Sequence, residues 1–206
     1  MMDLFINEFV TLDALKDTGV TPHVLGCCVN PPVLVMTGVG DLSLLEFLEI
    51  CSCRDAVSAL QAAAEAFAKI HEKGFVHGNV TLENMMVDLK HDRKVYIVDF
   101  TMAAHKGSKC PKNPSQSHFA AETLFDSFAA HSSQDVYAFG KNLQNLIKAR
   151  KDLPKELELI SNSLLEDNPK HRPPMDKLAR KLCKTLHEPS PPPPLRRPRQ
   201  AENTCN

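Results

Sequence analysis

The sequence predicts an α+β fold in which a helix and a β-hairpin precede a mostly helical body. Apolar residues recur at helical spacing over residues 54–72 and 133–150. Two short β-type runs, residues 23–29 and 32–37, are separated by Asn30-Pro31, which is typical of a hairpin. At 206 residues the chain is long enough to bury a substantial core.

The other elements follow from periodicity and from residues that break it. Residues 3–17 place apolar side chains on one helical face and end at Thr18-Gly19, which predicts an opening helix. Gly38 and Gly40 end the second β-type run, and Asp41 or Ser43 can cap a helix that ends near residue 50. We expect two more strands at residues 85–89 and 95–100, and two more helices at residues 155–166 and 175–187.

Composition argues against several classes of function. A formal net charge of −1 gives no field that would attract nucleic acid. We expect no membrane contact, because no 18 apolar residues run uninterrupted and Asp3 lies where a signal peptide needs basic residues. The seven cysteines show no Cys-x-x-Cys spacing, so free thiols in a reducing compartment are expected. That compartment is the cytoplasm, with the nucleus as the alternative.

Five motifs stand out between residues 77 and 173. Residues 77–84 read HGNVTLEN, residues 99–101 read DFT, residues 120–122 read AAE, residues 133–140 read SQDVYAFG, and residues 167–173 read DNPKHRP. In this order and spacing they resemble the catalytic loop, the Asp-Phe-Gly motif and the later signatures of the protein kinase family.

The resemblance implies a partial protein kinase-like domain over residues 1–187, followed by a disordered, proline-rich basic tail over residues 188–206. Residues 1–40 would form part of an N-lobe and the hinge, with the family's C helix and its fourth and fifth strands. Residues 41–187 would form a mostly helical C-lobe. The family's first three strands, including the glycine-rich loop, are lacking, so a truncated isoform or gene model is one interpretation.

The resemblance also implies that no catalytic position is intact. The family's catalytic aspartate accepts the proton of the substrate hydroxyl, and it corresponds here to Asn79, whose amide takes up no proton near neutral pH. The arginine before it corresponds to Gly78, and the lysine that contacts the γ-phosphate corresponds to Thr81. The glycine of Asp-Phe-Gly is Thr101, which lacks glycine's backbone freedom.

Positions that hold the scaffold together are retained: Glu8, His77, Phe100, Glu122, Asp135 and Arg172. By resemblance, Glu8 is the glutamate of the C helix, and His77 and Phe100 belong to a hydrophobic spine. Asp135 would bind the backbone of the catalytic loop. Glu122 would pair with Arg172, and such a buried pair costs several kcal/mol to break.

The nucleotide and metal positions are retained in part. Asn84 and Asp99 correspond to the family's Mg²⁺ ligands, and the alternative is that they form only local hydrogen bonds. Met36, Thr37 and Val39 would form the hinge against which a nucleotide binds. We therefore expect no cofactor, or ATP with Mg²⁺ if residual binding exists.

The tail carries a separate signal. Pro191, Pro194 and Arg196 fit the pattern P-x-x-P-x-R, which resembles a ligand of Src-homology-3 domains. The alternatives are a merely disordered tail, or an arginine cluster at residues 196–199 that serves nuclear import or binds an acidic surface. The sequence thus favours a catalytically impaired pseudokinase that binds protein partners, and the alternative is a protein kinase with residual activity.

Overall fold

The computed structural model describes residues 2–91, 93–109, 122 and 129–187. Its helices are α1 (Met2–Leu15), α2 (Leu44–Ile50), α3 (Cys53–Glu72), α4 (Ser133–Ala149), α5 (Glu156–Leu164) and α6 (Met175–His187). Its strands are β1 (Val24–Val29), β2 (Pro32–Met36), β3 (Leu42–Ser43), β4 (Phe75–Val76), β5 (Met85–Asp88), β6 (Lys94–Ile97) and β7 (Ala104–His105). Short 3-10 helices lie at Lys16–Thr18, Leu82–Asn84 and Pro169–His171. The predicted α+β class is confirmed.

The strands form three small antiparallel groups. β1 and β2 make the predicted hairpin, with Val24 opposite Met36. β5 lies between β3 and β6 in a three-stranded sheet, and β4 pairs with β7. Residues 77–84 follow β4 and precede β5, so they connect the β4–β7 pair to the three-stranded sheet.

Sequence periodicity placed one strand end too late and missed three strands. β6 stops at Ile97, not at residue 100, because the backbone turns at Asp99, where φ is 62°. β3, β4 and β7 have two residues each, which is too short for an alternating pattern to show.

Helix α3 lies at the centre of the core. Most of its alanines, including Ala56, Ala63 and Ala64, are buried, and small side chains allow α6 and β6 to pack closely against it. Phe67 from α3 and Phe139 from α4 are also buried, with their rings edge to face at 6.4 Å between centroids. The packing of these two rings thereby fixes α3 and α4 relative to each other.

The hairpin contrasts with this core. Leu25 is 66% exposed and Val35 is 50% exposed, and residues 18–40 contain no Asp, Glu, Lys or Arg. The hairpin therefore presents uncharged strands to solvent. Within the described ranges, no helix is both long and apolar enough to cross a membrane.

Candidate functional site

Asp135 of helix α4 binds the backbone of the loop of residues 77–84. The two oxygens of this buried carboxylate accept hydrogen bonds from the backbone N–H of His77 at 2.8 Å and of Gly78 at 2.9 Å. His71 of α3 makes a third contact, at 2.8 Å. Burial alone would raise the pKa of Asp135, but the bond with His71 and the backbone donors hold it below its ordinary value. The carboxylate is thus charged and fully paired.

A second side chain of α4 completes this support. Asn142 donates to the backbone oxygen of Val80 at 2.9 Å and to that of Ala138, one helical turn earlier, at 2.8 Å. Sequence reasoning did not identify Asn142, although its spacing of seven from Asp135 places both on one helical face. The loop is therefore fixed to α4 at two points.

Gly78 adopts a backbone conformation that other residues rarely reach. Its φ is +74°, and a Cβ added there would lie 2.5 Å from the backbone oxygen of Met102. The position that carries arginine in the family thus has no room here for any side chain. The glycine is required by the backbone, which its identity alone did not reveal.

We expect Gly78→Ala to lower the free energy of unfolding by about 2 kcal/mol, because it combines a positive φ with a steric clash. Urea denaturation followed by circular dichroism measures the loss. Gly38→Ala is the matched control, since its added methyl group would meet nothing within 4 Å and its φ is not positive. Equal stabilities of the two variants would contradict the assignment.

Asp99 lies at the centre of a closed set of hydrogen bonds. Its Oδ2 accepts from the Asn79 amide at 2.7 Å and from the Asn84 amide at 3.4 Å. Its Oδ1 accepts from the Thr101 hydroxyl at 2.6 Å. Asn84 also donates to the backbone oxygen of Asn79 at 3.0 Å, which orients its amide.

This arrangement does not fit a divalent cation. A carboxylate can only accept, so both amides must turn their N–H groups toward it and their oxygens away, whereas Mg²⁺ requires oxygen ligands. In the part of the chain that the structure describes, no three His, Cys, Asp or Glu residues lie close enough to hold a metal ion. Asn79, which by resemblance corresponds to the family's proton acceptor, is a neutral donor.

Thr101 occupies a position at which the family has glycine, but the backbone of residues 99–101 does not need glycine's freedom there. The positive φ falls on Asp99, at 62°, and not on Thr101. Thr101 therefore needs none of glycine's freedom, and its hydroxyl is used as a donor to Asp99. The change from glycine adds a hydrogen bond here and introduces no strained conformation.

Helix α1 is tied to the same segment by two neighbouring side chains. The Glu8 carboxyl accepts from the backbone N–H of Phe100 at 3.2 Å, and burial, with the charge of Asp99, raises its pKa. Asn7 donates to the backbone oxygens of Ala103 at 2.8 Å and Thr101 at 3.1 Å. Asn7 was not identified from the sequence, because nothing local marks an amide on an amphipathic helix as a long-range donor.

His77 is fully buried and neutral. Its Nε2 donates to the backbone oxygen of Val98 at 3.0 Å, while its Nδ1 accepts from the backbone N–H of Asn79 at 3.2 Å. One donating and one accepting ring nitrogen define the uncharged imidazole. Its ring packs edge to face on Phe100 at 4.9 Å between centroids. Burial lowers the pKa of His77, against the opposing charge of Asp135.

We expect stability to fall as the pH drops below about 6.5. Below that ordinary value an unfolded His77 binds a proton that the folded protein excludes, so its contribution is complete at higher pH and is lost toward the lower folded pKa. Burial also lowers the pKa of His131, which adds to this slope, whereas the raised pKa of Glu8 acts in the opposite direction.

The measurement is urea denaturation at intervals between pH 5.5 and 7.5. Each excluded proton adds at most about 1.4 kcal/mol per pH unit. His77→Phe should flatten the slope whatever its effect on absolute stability, and His131→Asn, as the comparison variant, should retain the part due to His77. An unchanged slope in His77→Phe would refute the neutral assignment.

Glu122 and Arg172 form a bidentate ion pair beside the start of α4. Both guanidinium NH₂ groups donate to the Glu122 carboxylate, and Arg172 is 6% exposed. Arg172 also donates to the backbone oxygens of Glu166 at 2.7 Å and Ser133 at 3.2 Å, and its guanidinium lies 4.7 Å from the Tyr137 ring centre. One side chain thereby joins the segment before α6 to the start of α4.

Of the remaining predicted positions, three lie in or just after β2, and Thr81 lies beside Asn84. Met36 ends β2, and Thr37 pairs with His23 through its backbone N–H and its hydroxyl, both at 2.9 Å. Val39 is half-buried, and Thr81 accepts from the backbone N–H of Asn84 at 3.2 Å. The tail positions Pro191, Pro194 and Arg196 lie outside the described residues, as does most of the segment that carries the AAE motif.

The fold and the motif geometry together define a protein kinase-like domain. A family model described as protein tyrosine and serine/threonine kinase matches residues 1–149, and the chain belongs to that family. It is also similar to the KEOPS complex subunit Bud32 of Pyrococcus abyssi, with 30% identity over 99 residues. That alignment covers 48% of this chain and 44% of the curated relative, so the chain spans under half of that protein's length.

Proposed function

We propose that this chain is a pseudokinase, a kinase-like domain that transfers no phosphoryl group and acts as a binding or scaffold module for protein partners. The observation that carries the proposal is the hydrogen bond from the Asn79 amide to the Asp99 carboxylate, at 2.7 Å. It joins the position of the family's proton acceptor to the position of a metal ligand. Neither group is left in the form that the reaction requires.

The chemistry explains why this contact matters. Phosphoryl transfer depends on positioning the attacking hydroxyl and on neutralising the developing charge with metal ions and cationic side chains. Asn79 cannot accept a proton, and the Asp99 carboxylate is occupied by amide and hydroxyl donors. Gly78 and Thr81 supply no positive charge where the family has arginine and lysine.

A binding role agrees with what is retained. Asp135, Glu122 and Arg172 hold the shape of the domain without contributing to chemistry. We take residues 1–187 as this domain and residues 188–206 as a partner-docking tail, with Pro191, Pro194 and Arg196 as an Src-homology-3 ligand in the cytoplasm. The similar archaeal protein is named as a subunit of a complex, which favours protein partners here.

A second candidate is a kinase with residual nucleotide binding. The Asn84 amide lies 3.4 Å from the Asp99 carboxylate, and by resemblance these are the metal positions of the family, while Met36, Thr37 and Val39 correspond to its hinge. This alternative requires the Asn79 and Asn84 amides to rotate and turn their oxygens toward a cation.

A nucleotide thermal-shift assay separates the two candidates. We expect ATP with Mg²⁺ to leave the melting temperature of the full chain unchanged, and no phosphate to reach a generic protein substrate. Asn79→Asp should restore no transfer, because Gly78 and Thr81 still lack the family's charges. A clear stabilisation that Asp99→Asn abolishes would establish the second candidate, and phosphoryl transfer by Asn79→Asp would overturn the proposal.

A further inference from the structure

A cleft of about 690 Å³ opens between α2, the end of residues 77–84 and the last turns of α4. It is separate from the Asp99 cluster, since neither Asn79 nor Asp99 lines it. Its apolar lining consists of Leu45, Leu48, Leu82, Leu146 and Ala149. The volume is within the usual range for ligand sites, about 300–1,000 Å³.

The charged groups of the cleft have an acidic excess. Glu49 and Glu83 line it, both are exposed, and neither has a basic partner among the described residues. Arg150 also lines it but is already neutralised, because Asp152 receives its Nε at 3.1 Å and an NH₂ group at 2.5 Å. Its other NH₂ group binds the backbone oxygen of Leu48 at 2.9 Å. The cleft therefore suits an apolar side chain with positive charges beside it.

The chain supplies such a segment in its own tail. Leu195 is followed by Arg196, Arg197 and Arg199, and the preceding run is mostly proline. Elsewhere in the sequence, no leucine directly precedes two arginines. The tail therefore combines an apolar side chain and adjacent cations, which match the apolar lining and the acidic excess of the cleft.

Helix α6, which precedes the tail, ends on the side of the domain where the cleft lies. Arg172, just before α6, binds the start of α4, and Asp135 in the first turn of α4 binds His71 at the end of α3. α6 therefore begins beside the end of α3 and, since the two helices pack along each other, it runs back toward the start of α3. That start, Cys53, lies two residues after Cys51, which lines the cleft.

The distances are compatible. α6 has 13 residues and α3 has 20, so α6 covers about 20 of the roughly 30 Å that α3 spans. Residues 188–194 can span about 22 Å more in a polyproline II conformation, at about 3.1 Å per residue. The segment after them can thus reach the cleft without any rearrangement of the helices.

We propose that residues 195–199 of this chain dock in the cleft of the same molecule, with Leu195 on the apolar lining and Arg196 and Arg197 paired with Glu49 and Glu83. The docking does not depend on the pseudokinase assignment. Because Arg196 also belongs to the P-x-x-P-x-R pattern, docking would withhold the tail from an Src-homology-3 domain. Only that consequence rests on the proposed partner function.

Limited proteolysis of the full chain tests the docking. Trypsin cleaves after Arg196 and Arg199, and intact mass spectrometry follows the loss of the tail with time. Glu49→Gln with Glu83→Gln should accelerate this cleavage by about three- to tenfold, the range that two exposed ion pairs supply. Leu45→Ser should accelerate it as well. The matched control is Glu156→Gln with Glu158→Gln, which makes the same charge change on α5 and should leave the rate unchanged.

Two results would overturn the proposal. If the Glu49 and Glu83 variant loses its tail no faster than the parent, the cleft does not hold the tail. If protection of the parent increases with protein concentration, the tail binds a second molecule and not its own cleft. A concentration-independent rate that rises only in the cleft variants supports docking within one molecule.

Discussion

Replacing Asp135 with alanine is expected to lower the free energy of unfolding by about 3–5 kcal/mol. The carboxylate is 1% exposed and accepts from two backbone N–H groups, those of His77 and Gly78, and contacts His71. Its removal leaves those donors buried without an acceptor, and each orphaned group costs about 1–3 kcal/mol. The loop of residues 77–84 would lose its main attachment to α4.

Urea denaturation at pH 7.5 measures this loss. Asp135→Asn should fall between the parent and Asp135→Ala, because it retains one acceptor oxygen but presents an NH₂ group to a backbone donor. The surface control is Asp176→Ala, whose pairing with Arg180 is largely exposed and contributes about 1 kcal/mol or less. If Asp135→Ala costs no more than Asp176→Ala, the contact does not hold the loop.

Replacing Arg172 with methionine is expected to cost a similar 3–5 kcal/mol. The substitution leaves the Glu122 carboxylate, which is 15% exposed, without its partner, and it frees the backbone oxygens of Ser133 and Glu166. The contact with the Tyr137 ring is lost as well. Because one guanidinium makes all these contacts, the effects should appear together as a single loss of stability.

The same denaturation experiment, with two further variants, tests the geometry. Arg172→Lys retains the charge but not the planar fork, so it should recover less than half of the loss. Arg180→Met removes an exposed arginine and should change stability by about 1 kcal/mol or less. Full recovery in Arg172→Lys would show that charge alone suffices and that the bidentate geometry contributes nothing.

The sequence predicted the larger elements well because each is long enough for its pattern of apolar residues to repeat several times. α3 and α4 differ from their predicted bounds by one residue at most, and the hairpin of β1 and β2 was placed to within a residue. β3, β4 and β7 could not be predicted, since a two-residue strand forms only where a partner strand meets it. Tertiary pairing, and not local preference, decides such elements.

The candidate site shows the same division. The motifs located residues 77–84 and 99–101, and the resemblance supplied a role for each position. What it could not supply were contacts between residues distant in sequence, such as Asn7 with Ala103 or Asn142 with Val80. Nor could it show why position 78 is glycine, because the reason is the backbone oxygen of Met102.

Gly78 also determines the order in which this loop could be restored to the family pattern. Asn79 can become aspartate without a steric clash, since the two side chains have nearly the same shape. The new carboxylate would face that of Asp99, to which the Asn79 amide donates at 2.7 Å. Arginine at position 78 cannot be introduced in the same way, because a Cβ would lie 2.5 Å from the Met102 oxygen. The segment around Met102 would have to move first. A change of this loop to the family pattern therefore begins outside the loop, and an arginine introduced at position 78 alone would destabilise the fold.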